Sequence, residues 1–229
     1  MKIIPAINCI DFSCVSHKFL EASKFLPKDG WLHIDIADAR FTYNKTWNNP
    51  QELTQLFLKH PEFKFNLEVH LMVEEPEKEI GEWIKAGAKR IIVHLESLID
   101  SKARGKDFDP KIVIAKIFSA TSSSGAEVML STNPETKLEN YKDYLDYFFA
   151  FQVLAVRPGL AGQKFLPSVI EKIKFLREQF SNAKIEVDGG INLEIGKLAK
   201  EAGADEIVVA SYIFDSSDPK NKYEELLKI

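Results

Sequence analysis

Eight short runs dense in Val, Ile, Leu and Phe punctuate the chain, at residues 2–8, 32–38, 65–73, 90–96, 126–132, 149–156, 184–190 and 206–214. Several are near-continuous rather than alternating, as expected of parallel strands covered on their outer face by helices. Between them lie stretches with the i, i+3, i+4 apolar spacing of amphipathic helices. The clearest is "PSVIEKIKFLREQF", with Val169, Ile170, Ile173, Phe175 and Leu176 near one side and Pro167 suited to the first turn. Pro76 and Pro110 open two more such segments. The weakest helices are those near 137–146 and in "NKYEELLKI".

Strict alternation of strand and helix predicts a parallel sheet with right-handed crossovers. Eight units in 229 residues predict an α/β chain folded as one (β/α)8 TIM barrel over residues 1–229. A doubly wound open sheet is the alternative, but the first strand–helix turn lacks a GxGxxG fingerprint. One internal echo supports repetition. "IKAGAKRIIVHLES" and "AKEAGADEIVVASY" share a helix–AGA–strand pattern, with Gly87 and Gly203 placed as helix C-caps.

Composition narrows the class. The 30 Lys and Arg against 34 Asp and Glu give a net charge of -4, which offers no basic excess for nucleic acid or an anionic membrane. No apolar run is long enough to span a bilayer, and the N-terminus does not read as a signal peptide. Cys9 and Cys14, the only cysteines, stand too close to suggest a disulfide framework. The expectation is a reducing, cytoplasmic setting.

Some polar residues interrupt the apolar runs. "LHIDIAD" carries His33, Asp35 and Asp38, and buried charge is costly unless paired or bound to metal. Residues two apart on a strand share a face, so His33 and Asp35 point the same way. His70, His94 with Glu96, and Asp188 fall near the ends of other strands, where a barrel keeps its active site. Two imidazoles and two carboxylates suit a divalent transition metal. Each also has a plainer reading: a histidine satisfied in the core, an Asp that caps a turn. Asp38 is as well placed to orient the following loop as to touch a ligand. Glycines in "RPGLAGQKF" and "DGG", with Ser211 in the last strand, sit where late barrel loops bind phosphate.

In combination, "LHIDIADARF", "EVHLMVEEP", "RPGLAGQKFLPSVIEKI" and "KIEVDGGIN" resemble motifs of the ribulose-phosphate 3-epimerases, and the resemblance runs from "IIPAIN" to "SYIFDSSDP". It implies a barrel of the ribulose-phosphate-binding type. It also implies one divalent ion (Zn, Mn, Fe or Co) on His33, Asp35, His70 and Asp188, with Asp35 and Asp188 as the acid/base pair. Met72 matches a residue lining the site, Gly162 the loop over the substrate, and Gly189, Gly190 and Ser211 the phosphate positions. The implied activity is interconversion of D-ribulose 5-phosphate and D-xylulose 5-phosphate in the pentose phosphate pathway, by a homo-oligomeric cytoplasmic enzyme with no nucleic-acid or membrane partner. An orotidine-phosphate decarboxylase-like site is not matched, because "HIDIAD" has no Lys.

The departures surround the expected sugar. Ala6 stands for a Ser, Asn8 for an apolar residue, Ala37 for a Met, and Ala39, Ala161 and Ala210 for glycines. Alanine hinders close approach or a positive φ. Arg157 replaces an Asn or another residue before "PG" and offers a charge to an anionic group. Epimerisation of a different sugar phosphate, such as a hexulose 6-phosphate, and a non-catalytic metal-binding barrel are the alternatives that these changes leave open.

Overall fold

The eight runs become parallel strands that close into a barrel in chain order, in a computed structural model that describes residues 1–99 and 108–229. The strands are β1 (Lys2–Ile7), β2 (Trp31–Ala37), β3 (Asn66–Met72), β4 (Ala88–His94), β5 (Glu127–Thr132), β6 (Ala150–Leu154), β7 (Lys184–Asp188) and β8 (Glu206–Val209). The first and last pair directly, with Ile4 opposite Val208, so the open doubly wound alternative is excluded.

The larger helices are α1 (Phe12–Ala22), α2 (Pro50–Lys59), α3 (Pro76–Lys85), α5 (Pro110–Ser122), α7 (Val169–Gln179), α8 (Leu193–Ala202) and α10 (Pro219–Leu226). Short ones are α4 (Leu95–Ile99), α6 (Lys142–Leu145) and α9 (Ser211–Phe214). Pro50, Pro76, Pro110 and Pro219 each begin a helix, where a missing N–H costs nothing. Pro167 instead lies two residues ahead of α7. Gly203 caps α8 in the left-handed region at φ 110°.

Three sequence expectations change. The run 206–214 is not one strand: β8 stops at Val209, and Ser211 is the first residue of α9. Its β-branched and aromatic residues look strand-like because α9 is buried at Ile213 and Phe214. Likewise β4 stops at His94 and Glu96 belongs to α4, so the internal echo extends to a short helix after each strand. Cys9 and Cys14 are joined as a disulfide, their Cα atoms 5.8 Å apart. Cys9 follows β1 and Cys14 lies in the first turn of α1, held there by the Asp11 side chain, which accepts from the Cys14 N–H. A tight turn, which spacing alone does not reveal, brings the two together.

Strand parity divides the interior into two materials. Leu32, Ile34 and Ile36 of β2 and Leu67, Val69 and Leu71 of β3 face outward, where they pack with Phe19, Leu53 and Trp83 of the helices. Each such aliphatic side chain contributes roughly 1.5–3 kcal/mol on burial. The opposite parity faces the barrel axis and is far more polar. Cross-strand registers set His33 beside Glu68, Asp35 beside His70, and Glu68 beside Arg90. Apolar fill on this side comes from small groups: Ile4, Ala6 and Val208, and Ile92, Met129 and Ala150.

Candidate active site

Four of the polar residues converge at the C-terminal mouth. His33, Asp35, His70 and Asp188 each offer one ligand atom, and these atoms all lie within 4.8 Å of one another. Their parity brings them there: 33 and 35 lie on the inward row of β2, 70 on that of β3, and 188 ends β7 opposite Leu154. Asp35 is the hub. Its Oδ1 lies 3.1 Å from His33 Nε2 and 2.9 Å from His70 Nδ1, and its Oδ2 accepts from Asn8 Nδ2 at 3.0 Å. His70 Nδ1 is also 3.8 Å from Asp188 Oδ2.

A second row of contacts orients the imidazoles. His33 Nδ1 meets Glu68 Oε1 at 2.7 Å, which leaves Nε2 directed at the cluster. His70 Nε2 meets His94 Nε2 at 2.8 Å, and His94 Nδ1 meets Glu96 Oε2 at 3.2 Å. Glu96 is itself fixed by the Asn133 N–H at 2.9 Å and by the Thr136 hydroxyl. His94 and Glu96 thus orient a site residue rather than join the four. Such outer partners fix imidazole tautomers in metal sites.

The electrostatics separate the two carboxylates. Burial alone would raise Asp35, but hydrogen bonds and charge from His33 and then His70 outweigh it and hold Asp35 far below the usual range. Burial and the neighbouring Asp35 charge push Asp188 up to about 7. Burial brings His70 down to about 4 despite its bond to Asp35. His33, whose burial is outweighed by Asp35 and Glu68, is held well above its ordinary value. Among the described residues no Lys or Arg hydrogen-bonds to these four. Two buried carboxylates and two nitrogens directed at one point fit a divalent cation by donor type and spacing.

The remaining expected residues line the same mouth. Met72, Arg157, Gly162, Gly189, Gly190, Ala210 and Ser211 all border the pocket that holds Asp35 and Asp188. Gly190 has φ 67°, and a Cβ there would lie 2.3 Å from the Phe165 amide nitrogen, so only glycine lets the two backbones touch. Arg157 is largely exposed and its Nε lies 3.1 Å from Glu135 Oε1, so its charge already has a partner. Asp38 takes its plainer role: it accepts from the backbone N–H groups of Arg40, Phe41 and Glu74. Of the alanines standing for glycine, Ala39 alone among the described residues has a positive φ, 60°.

A family model described as the ribulose-phosphate 3 epimerase family matches residues 2–214. The chain belongs to this family. The ribulose-phosphate 3-epimerase of Chlamydia muridarum is 33% identical over 96% of this chain and 92% of its own length. That of Chlamydia pneumoniae is 34% identical over 93% of this chain and 87% of its own. The chain is accordingly an enzyme, an isomerase of the ribulose-phosphate 3-epimerase family. The solved 3-hexulose-6-phosphate synthase from Salmonella typhimurium is similar with a TM-score of 0.69 at 18% identity, covering 100% of this chain and 97% of that one. At that identity the likeness speaks to the fold alone. No helix among the described residues is long and apolar enough to cross a membrane.

Sequence reasoning missed a set of residues below the site. Arg90, fully buried on β4, donates through Nη1 to Glu68 at 2.6 Å, Glu206 at 2.6 Å and Glu186 at 3.2 Å. Its guanidinium lies 4.3 Å from the centre of the Trp31 ring. Parity held a signal: Glu68 and Glu186 stand two residues before His70 and Asp188, on the same inward rows. Asn8 was legible only as a departure from the family pattern, not as a hydrogen-bond partner of Asp35.

Proposed function

We propose that the chain, working as one barrel domain over residues 1–229, interconverts D-ribulose 5-phosphate and D-xylulose 5-phosphate by moving a proton at carbon 3 with Asp35 and Asp188. The observation that carries this is the pair itself: two carboxylates, from β2 and β7, with ligand oxygens within 4.8 Å of each other, both bordering one pocket.

His33, Asp35, His70 and Asp188 would hold the divalent ion, with zinc, manganese, iron and cobalt all compatible with two imidazoles and two carboxylates. Such a cation is a Lewis acid toward the sugar's carbonyl and neighbouring hydroxyl oxygens, and it lowers the pKa of the groups around it. The chain's own residues divide the rest. Asp35, ionised and fixed by three hydrogen bonds, takes the carbon-3 proton from one face. Asp188, on β7, returns a proton to the other face and so inverts the centre. In the reverse direction the two exchange roles. Acid–base help of this kind is worth about 10²–10⁴-fold.

Met72 packs under the reacting carbons in this reading. Gly189, Gly190, Ala210 and Ser211 receive the phosphate, Gly162 belongs to the loop that covers the sugar, and Arg157 reaches an anionic group from the rim after leaving Glu135. The family's chemistry carries with it a role in the pentose phosphate pathway, a cytoplasmic setting and a homo-oligomer, with no call on nucleic acid or membrane. In a reducing compartment the Cys9–Cys14 pair would be held as thiols.

The test is proton NMR of the metal-loaded enzyme with ribulose 5-phosphate in D2O. Deuterium at carbon 3 together with xylulose 5-phosphate, both lost in Asp188→Asn, is the expected result. Neither exchange nor epimer, with metal bound, overturns the substrate assignment. A different ketose phosphate is the second reading, favoured by the amide of Asn8 in the pocket wall. It would show exchange with a hexulose 6-phosphate instead.

A further inference from the structure

Asn8 lies just beyond β1, on the inward row that continues from Ile4 and Ala6. Its side-chain nitrogen donates twice, to Asp35 Oδ2 at 3.0 Å and to the Gly159 carbonyl at 2.9 Å. Both partners accept only, Asp35 because it is ionised and Gly159 because a carbonyl has no proton. The orientation of the amide is therefore forced: the NH2 faces these two, and Oδ1 is left for the pocket that Asn8 lines.

Gly159 belongs to the loop between β6 and α7. It is buried with φ 134°, and a Cβ added there would lie 2.4 Å from Asn44 Oδ1. The loop is closed on itself by Gln163, whose amide donates to the carbonyls of Arg157 and Leu160. Its Arg157–Glu135 tie to the wall is solvent-exposed, and exposed pairs contribute little. The Asn8 bond is the sheltered tie, and the same nitrogen grips the proposed base.

We propose that Asn8 is a positioning and specificity residue: it couples the seated loop to the orientation of Asp35 and presents its carbonyl oxygen to a hydroxyl of the bound sugar. This rests on the epimerase reading for its second half only. When the loop lifts, Gly159 leaves, and the amide is free to turn away from Asp35. Seating the loop restores the grip, so cover and base alignment arrive together. An aliphatic side chain in the same place would do neither.

The test uses Asn8→Leu, close in volume without donors, and Asn8→Asp, the same shape with acceptors only. Hydrogen exchange of the peptide 157–166 is followed in the metal-free and substrate-free protein. Losing the shared bond is expected to speed exchange there roughly tenfold in both variants, with β3–β5 peptides unchanged as the check on folding. Unchanged loop exchange in both variants overturns the coupling, whatever the substrate proves to be. For the second half, kcat and KM are compared for ribulose 5-phosphate and its 1-deoxy and 4-deoxy analogues. The wild type is expected to disfavour one analogue by roughly tenfold, a preference that Asn8→Leu loses while kcat also falls. Equal preference in wild type and variant overturns the hydroxyl contact. Loosened loop exchange in the variants, together with a wild type that turns over no pentulose phosphate, would sink the epimerase reading and leave the coupling standing.

Discussion

The barrel holds two buried clusters of titratable groups, one above the other on the same inward rows, and they solve the same problem differently. At the floor, Glu68, Glu186 and Glu206 surround Arg90, which supplies their countercharge from within the chain. Burial and the Glu68 charge still push Glu186 well above the usual range, against the pull of Arg90. At the mouth, Asp35 and Asp188 meet imidazoles but no Lys or Arg among the described residues. The floor carries its cation within the chain and is closed. The mouth is short of positive charge and open to a pocket. Glu68 joins them, with one oxygen on Arg90 and the other on His33.

This comparison can be broken at several points. The largest effect belongs to the mouth. Asp188→Asn and Asp35→Asn should each lower kcat about 10²–10⁴-fold by a coupled assay, and a urea titration should show that the loss in Asp188→Asn comes without a lowered unfolding midpoint. Next comes the floor. Arg90→Met removes the cation that Glu68, Glu186 and Glu206 share and should cost about 3–5 kcal/mol of stability by denaturant unfolding. An unaltered midpoint would show that the floor does not depend on its ion pair.

A smaller effect sharpens the contrast in pH. Asp188 titrates at about 7 in the fold against 3.8 as its ordinary value, so its ionisation works against the folded state. The stability it contributes is full below about pH 4 and is lost as pH rises through 7. Between pH 4 and 8 in chelator, wild type should lose stability relative to Asp188→Asn by up to about 4 kcal/mol. Zinc or manganese should close that gap by stabilising the ionised form. Because ligation also takes a proton from His33 or Asp188, metal affinity should weaken as pH falls below 7, with proton release visible by calorimetry. The smallest effect is expected of Gly162→Ala. Its Cβ would meet nothing within 4 Å, leaving only the strain of φ 79°, and it should raise KM about 3–10-fold with kcat nearly kept.

Much of this was legible in the residues, for physical reasons. A strand covered on both sides must be apolar outward, so Val, Ile and Leu runs mark all eight strands. An interrupting His-x-Asp must then point inward together. Where the polymer changes conformation inside an apolar run, as at Ala210 and Ser211, composition gives no warning, because a short buried helix uses the same side chains. Parity tells which way Glu68, Arg90 and Glu186 face but not which of seven other strands completes the pair. For the same reason Asn8 looked like an odd substitution until Gly159 was seen across the mouth. The Cys9–Cys14 bridge depends on a turn geometry that five intervening bonds of sequence do not encode.

The floor also bears on how the chain reaches this state. The carboxylates on Arg90 lie 22, 37, 96 and 116 residues away from it, Glu127 accepting from its Nε at 2.7 Å. The first half of the barrel, through β4, contains only Glu68 of the four. No half-barrel can therefore satisfy its own guanidinium, and an arc of strands left open would turn an unanswered charge toward its inner face. Closure of β8 onto β1 is the event that completes both the sheet and the ionic network, and Lys2, which meets Glu206 at 2.5 Å, fastens that last seam. Chain order thus makes the full set of partners around Arg90 a property of the completed circle alone.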